Sequence, residues 1–273
     1  MTCETFGVRG QMLDQVDDLS ERHSQETMSV SVWRTDAGGR FETFEVPREE
    51  SQTVLDVVFW IQQNRDPTLT YRFACRVGVC GSCAMTVNGV PRWTCRTHVK
   101  NVLERGAMEI GPLRNLPVVR DLATDMDPFF EKWVKAEGVF HPTKTRDDPI
   151  EAISSDSEGR RTIDEAIECI NCGVCYAACD VVGANPDYLG PAALNRAWTV
   201  YNDAKDGARD KILDAVSQGG GCHNCHSMGN CTRFCPNELD PMAAIAGLKR
   251  ETAKASLARF LWPKARRAGK SGG

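Results

Sequence analysis

Hydrophobic and polar residues alternate over 28–34, where Met28, Val30 and Val32 are separated by Ser29 and Ser31, and they alternate partly over 41–46. With the Asp36-Ala37-Gly38-Gly39 turn between them, the two runs predict a hairpin. The period then lengthens. Leu55, Val58, Phe59 and Gln62 recur at helical spacing over 53–63, with Ser51 or Thr53 as the cap. A second hairpin is predicted over 84–87 and 90–93 around Asn88-Gly89, a strong short turn signal. Two strands, a helix, a loop and two more strands suit a small mixed sheet wrapped around one helix.

After Asp121 the character changes. Helices are predicted over 121–136, 162–170, 191–205, 207–217 and 240–258, the last begun by Pro241 in its first turn. The stretch 138–159 is rich in Pro, Asp and Ser and reads as an irregular surface linker. The pattern divides the chain into a loosely ordered arm over 1–27, a β-rich domain over 28–126 and a helical domain over 127–273. The arm carries Asp14, Asp17, Asp18, Glu21 and Glu26 without an apolar core, which argues against secretory or mitochondrial targeting. No apolar run approaches the roughly 20 residues that a membrane-crossing helix needs, so membrane attachment would be peripheral or through another subunit.

Cysteine adds the chemistry. Eleven of the 13 cysteines fall into three runs: Cys75-x4-Cys80-x2-Cys83-x11-Cys95, Cys169-x2-Cys172-x2-Cys175-x3-Cys179, and Cys225-x5-Cys231-x3-Cys235-Pro236. The first has the plant-type spacing of a [2Fe–2S] centre, with all four sulfurs, Cys75, Cys80, Cys83 and Cys95, present. Its loop, Arg76-Val77-Gly78-Val79-Cys80-Gly81-Ser82-Cys83, has glycines that let the backbone approach the sulfides and direct N–H groups at them. The second has the bacterial ferredoxin spacing, whose fourth cysteine ligates the other cluster of a pair. On the same template the third run reads Cys225, Met228, Cys231 and Cys235, with a neutral thioether where a thiolate is due. Exchanging the fourth cysteines assigns Cys169, Cys172, Cys175 and Cys235 to a [4Fe–4S] centre, and Cys179, Cys225 and Cys231 to a [3Fe–4S] centre. A chain with three such centres is a conductor of electrons.

Structural zinc is the competing reading of Cys-x2-Cys pairs, although zinc does not need the interleaved fourth cysteine. Cys222 forms an extra Cys222-x2-Cys225 pair beside Gly219-Gly220-Gly221, so the choice between Cys222 and Cys225 stays open; Cys225 preserves the template. Cys3 and Cys222 read as free thiols. The formal net charge of -4 gives no sign of a nucleic-acid partner. The average hides a basic tail: Lys249, Arg250, Lys254, Arg259, Lys264, Arg266, Arg267 and Lys270 stand against Glu251 alone, interleaved with Leu257, Phe260, Leu261 and Trp262. Such a tail suits an anionic membrane surface or a solvated helix with a free end, and the pattern leaves both open. Trp33, Trp60 and Trp93 read as core, Trp198 and Trp262 as partner-facing.

Four stretches together resemble one known family: Cys75-Arg76-x3-Cys80-Gly81-Ser82-Cys83; Cys169-Ile170-Asn171-Cys172-Gly173-Val174-Cys175-Tyr176-Ala177-Ala178-Cys179; Asn185-Pro186 with Gly190-Pro191-Ala192; and Cys235-Pro236-x3-Asp240-Pro241. Over about 28–258 the chain is similar to the iron–sulfur subunit of succinate:quinone oxidoreductases, the succinate dehydrogenases and fumarate reductases. The resemblance implies an α+β chain, a plant-type ferredoxin-like β-grasp domain followed by an all-α two-cluster ferredoxin domain. It implies a flavoprotein partner with covalent FAD that interconverts succinate and fumarate. It also implies membrane anchor subunits that bind quinone, with or without haem b, and hold the chain peripherally on the cytoplasmic face of the cell membrane. Electrons would pass between FAD, [2Fe–2S], [4Fe–4S], [3Fe–4S] and quinone, and this subunit alone would not oxidise succinate. The chain accords with that division, having no dinucleotide fingerprint after a strand. The iron–sulfur subunit of another quinone-linked flavin dehydrogenase is the alternative.

The resemblance carries two residues to the quinone end. His226 falls where succinate dehydrogenases place a quinone-proximal histidine, to hydrogen-bond a carbonyl or pass protons; donation to a cluster sulfide is its other reading. Lys249 resembles the basic residue that menaquinone-linked fumarate reductases place near quinone, where its charge favours an anionic reduced form; a solvated lysine is the other reading. Asp180 stands where many relatives have proline, and Gly183-Ala184 stand where ubiquinone-linked relatives carry a tryptophan of the quinone pocket. Menaquinone is therefore favoured over ubiquinone.

Overall fold

The computed structural model describes residues 26–261. Met28, Val30 and Val32 are buried along β1 (Thr27–Arg34), which pairs antiparallel with β2 (Arg40–Pro47) across a tight turn at Asp36–Gly38. α1 (Val54–Asn64) begins at Thr53. Its hydroxyl accepts the Asp56 N–H, while the Asp56 carboxylate accepts the Thr53 N–H, forming a capping box. The helix buries Val54, Leu55, Val57, Val58 and Ile61. Phe59, expected on that face, instead turns outward, with the Arg76 guanidinium 4.9 Å from its ring centre.

β3 (Ala84–Val87) and β4 (Val90–Trp93) form the second hairpin, with positive φ at both Asn88 and Gly89 as its two-residue turn requires. A strand absent from the sequence expectations completes the sheet. β5 (Ala107–Gly111) inserts parallel to β1 and antiparallel to β3, giving the order β2-β1-β5-β3-β4. The expected helix over 121–136 is shorter, because β6 (Val118–Arg120) and β7 (Ala123–Thr124) precede α2 (Asp127–Lys135). Asp121 cannot start that helix. It sits at φ 48°, its carboxylate accepts the backbone N–H groups of Thr35 and Thr70 at 2.9 Å each, and it lies 3.3 Å from the buried Arg34 guanidinium.

The linker is irregular until α3 (Glu158–Thr162), so the expected helix over 162–170 resolves into α3 and a 3-10 turn at Ala166–Glu168. Two helices of four and five residues come next, α4 (Val174–Ala177) within the second cysteine run and α5 (Asp180–Ala184) directly after it. Then come α6 (Gly190–Tyr201), α7 (Arg209–Val216), a 3-10 turn at Cys222–Asn224, α8 (Asn230–Arg233) and α9 (Pro241–Leu261). α6 is the hub, packing on α2, α7 and α9.

One core lies against the sheet, with Val30, Val32, Val58, Ile61 and Ile110 fully buried. The other joins the helices through Phe129, Tyr188, Leu194, Ile212 and Leu248 and reaches back to Cys83, Trp93 and Cys95. Trp198, expected to face a partner, is buried in this second core and stacks on Tyr201. Its ring lies 2.6 Å from where a Cβ on Gly247 would stand, so only glycine lets α6 and α9 approach this closely. Cys3, the acidic residues of the arm before Glu26, Trp262 and the basic residues from Lys264 onward lie outside the described residues. Among the described residues no helix is long and apolar enough to cross a membrane.

Candidate metal centres

The first group of thiols sits between α1 and the second hairpin. Cys75 and Cys80 are half-buried on an outward loop; Cys83 and Cys95 are buried where β3 begins and β4 ends. Backbone N–H groups point at the outer sulfurs: Val77 and Val79 donate to Cys75 Sγ, and Cys75 donates to Cys80 Sγ, each at 3.4 Å. The Val77 N–H, then Cys80 and the Val79 N–H, bring the Cys75 thiol down to about 6, whereas burial, then Cys83, pushes Cys95 up to about 12. Donors aimed at the exposed pair and apolar packing at the inner pair suit a group of net negative charge bound at the rim of the sheet.

The second and third runs share a backbone design. Each starts after a 3-10 turn and has its first cysteine extended, Cys169 at φ -68°, ψ 120° and Cys225 at φ -67°, ψ 123°. Two residues on, φ is positive at Asn171 (60°) and Ser227 (57°); four on, it is positive at Gly173 (78°) and Gly229 (80°). Those glycines cap α4 and α8. Met228 thus occupies the backbone place of Cys172, and Cys225 that of Cys169. Cys222 lies elsewhere, fully buried with its Sγ 3.8 Å from Thr252 Oγ1.

The thiols gather across the runs. Cys169, Cys172 and Cys175 line one cavity together with Cys235 from the third run. Cys225 and Cys231 line another together with Cys179 from the second, and Met228 and His226 stand at its edge. Burial raises the thiols of Cys172 and Cys231 to about 11 each and that of Cys175 well above the ordinary range. Such thiols stay protonated unless iron takes the proton's place. Among the described residues no three His, Cys, Asp or Glu side chains converge as around a single ion. Thiols that ring a cavity suit a multi-iron group better than one tetrahedral zinc.

The first and second groups touch. A Cβ on Gly81, at φ +70°, would lie 2.6 Å from Cys172 Cβ and 2.8 Å from Cys172 Cα. The glycine that sequence reasoning placed against the sulfides thus also abuts the neighbouring centre. Of the quinone-end residues, His226 is exposed beside Met228, and Lys249 donates from Nζ to the Cys225 carbonyl at 2.7 Å. Sequence reasoning missed three residues. Asn115 Nδ2 donates to the carbonyls of Tyr176, Ala177 and Cys179 at 3.0–3.3 Å, holding α4 and α5 against the sheet domain. Tyr188, buried beside the third group, keeps its phenol neutral through burial and its proximity to the thiols of Cys225 and Cys179. Trp93 lines the cavity of Cys169, Cys172, Cys175 and Cys235 from the end of β4. No spacing rule links these three to a thiol.

Comparison with known proteins bears out the two-domain ferredoxin organisation. Residues 29–131 match the 2Fe-2S iron-sulfur cluster binding domain, and residues 168–240 match the 4Fe-4S dicluster domain. The chain is 33% identical over 256 residues to the fumarate reductase iron-sulfur subunit of Haemophilus influenzae, covering 87% of this chain and 97% of that one. It is 36% identical over 247 residues to the corresponding Mycobacterium tuberculosis subunit, covering 86% and 96%. With the succinate dehydrogenase iron-sulfur subunit of Paracoccus denitrificans it shares 35% identity over 226 residues, 81% of this chain and 85% of that one. In space it is similar to a chain of the Mycobacterium smegmatis Sdh1 complex in the apo form, with a TM-score of 0.75, 27% identity, and coverage of 85% and 98%.

Proposed function

We propose that this chain, which belongs to the iron–sulfur subunits of succinate dehydrogenases and fumarate reductases, relays electrons between the FAD of a flavoprotein subunit and membrane quinone. Bound iron–sulfur clusters supply one-electron transfer. Cys75, Cys80, Cys83 and Cys95 hold [2Fe–2S]; Cys169, Cys172, Cys175 and Cys235 hold [4Fe–4S]; Cys179, Cys225 and Cys231 hold [3Fe–4S]. The observation that carries this reading is the crossing of the fourth cysteines, Cys235 into one cavity and Cys179 into the other. Met228, at the backbone place of a ligand, brings no negative charge, which supports a centre one iron short.

The division into 28–126 and 127–273 follows the same reading; of the arm expected over 1–27, residues 1–25 lie outside the described residues and Thr27 begins β1. His226 and Lys249 serve the quinone end, His226 as a donor or proton carrier at the exposed edge of the cavity of Cys179, Cys225 and Cys231, Lys249 by bracing the Cys225 loop and supplying positive charge. Menaquinone is the quinone favoured. The anchor subunits, with quinone and any haem b, hold the chain peripherally at the cytoplasmic face.

Low-temperature electron paramagnetic resonance of the anaerobically isolated complex tests the reading. An oxidised-state signal from the three-iron centre and separate reduced-state signals from the other two are expected. Cys231→Ser should abolish the first and leave the [2Fe–2S] signal. An unchanged three-iron signal in that variant would refute the assignment of Cys231 to that centre, and a colourless zinc protein would refute the relay.

A further inference from the structure

Trp93 belongs to two sites at once. It ends β4, two residues before Cys95, opposite Ala84 and hence beside Cys83 in the hairpin register. Its six-membered ring abuts the [2Fe–2S] loop, with Cζ3 and Cε3 at 3.0 and 3.2 Å from a Cβ built on Gly78. The same side chain lines the cavity of Cys169, Cys172, Cys175 and Cys235. It is 8% exposed, and its Nε1–H is buried without a hydrogen-bond partner in the protein. An indole N–H only donates, and a buried donor left unpaired is costly, so the orphan asks for an acceptor that the protein alone does not provide. Of the cysteines lining this cavity, Cys172 lies against the same loop, its Cβ 2.6 Å from where a Cβ on Gly81 would stand.

We propose that Trp93 is a positioning residue that donates its indole N–H to sulfur on the Cys172 side of the [4Fe–4S] centre while its ring packs against the [2Fe–2S] loop, raising the reduction potential of the [4Fe–4S] centre. The inference rests on the electron-relay reading. Its physical basis is that reduction adds negative charge to the cluster, and a donor aimed at its sulfur stabilises the reduced form more than the oxidised. The acceptor is the bound group itself, which accounts for a buried donor with no partner among the protein's own groups. Trp93 would thereby set how readily an electron moves from the first centre to the second.

The test uses the intact complex with Trp93→Phe, which keeps an aromatic ring and removes the N–H. In a potentiometric titration followed by paramagnetic resonance, the reduced fraction of [4Fe–4S] at fixed potential should fall by up to about tenfold, a downward shift of up to ~59 mV for one electron. The [2Fe–2S] midpoint should move much less. A second measurement does not depend on the variant's folding: with tryptophan labelled with ¹⁵N at the indole nitrogen, pulsed resonance of the reduced [4Fe–4S] centre in the unsubstituted complex should show a nitrogen coupling. An unchanged [4Fe–4S] midpoint in Trp93→Phe, an equal shift of both centres, or no indole coupling would overturn the proposal. Absence of any [4Fe–4S] signal from the unsubstituted complex would instead sink the relay reading, and this inference with it.

Discussion

Gly81 shows how much one hydrogen atom in place of a methyl can decide. Its φ of +70° already disfavours other residues, but the tighter constraint is steric, since the nearest atoms include the Cα of Cys172, which no rotamer change can move aside. Gly89 provides the control, with φ +76° and nothing within 4 Å of its Cβ position. Gly81→Ala should therefore cost more than Gly89→Ala, by about 1–3 kcal/mol for overpacking against backbone. The loss would be read as a lower thermal midpoint and lower [4Fe–4S] content of the anaerobic complex. Equal behaviour of the two variants would show that the contact with Cys172 carries no weight. The turn at Gly89 was legible from Asn88-Gly89, because a hairpin turn is a local matter. The role of Gly81 against Cys172 was not, because its partner lies far along the chain.

At the scale of elements the same division holds. β1, β2, β3, β4 and α1 declare themselves through alternation, turn residues and a cap, all within a few residues of one another. β5 joins neither of its partners through a short hairpin turn, and its place between β1 and β3 depends on pairing with strands remote in sequence. The region after Asp121 reads as helix locally, yet the Asp121 carboxylate is claimed by Thr35, Thr70 and Arg34, so the chain stays extended until Asp127. α4 and α8 are single turns dictated by the αL residues of the cysteine loops and have no amphipathic signal of their own. Short helices of this kind depend on outside partners for their last carbonyls. For α4 the partner is Asn115, which also holds the Cys179 carbonyl at the start of α5. Asn115→Asp keeps the shape and removes the donors, placing a carboxylate against three carbonyls, and should cost about 1–3 kcal/mol. Hydrogen exchange is expected to quicken at 174–184 and to stay unchanged in β1 and β2. Uniform quickening would point to general destabilisation instead.

Across the whole molecule, cysteine is distributed unequally between the two cores. The core under the sheet contains none, whereas the helical core includes Cys83, Cys95 and Cys222 and has Cys172, Cys175, Cys179 and Cys225 packed on it. Removing iron with a reductant and chelator leaves those raised thiols protonated and the cavities between them unfilled. Protease sensitivity should then appear first across 169–240, while the sheet around Val30, Val32 and Ile110 stays protected. Simultaneous cleavage in both regions would contradict this ranking.

The crossing of Cys179 and Cys235 has a last consequence, for biogenesis. Under the proposed exchange, a nascent polypeptide halted before Cys235 carries all three ligands of the [3Fe–4S] centre but only three of the four of the [4Fe–4S] centre. The four-iron centre can be completed only after synthesis has passed that residue, later than either of the others. A frameshift downstream of Arg233 would remove the fourth sulfur of that centre and leave the ligand set of its neighbour intact.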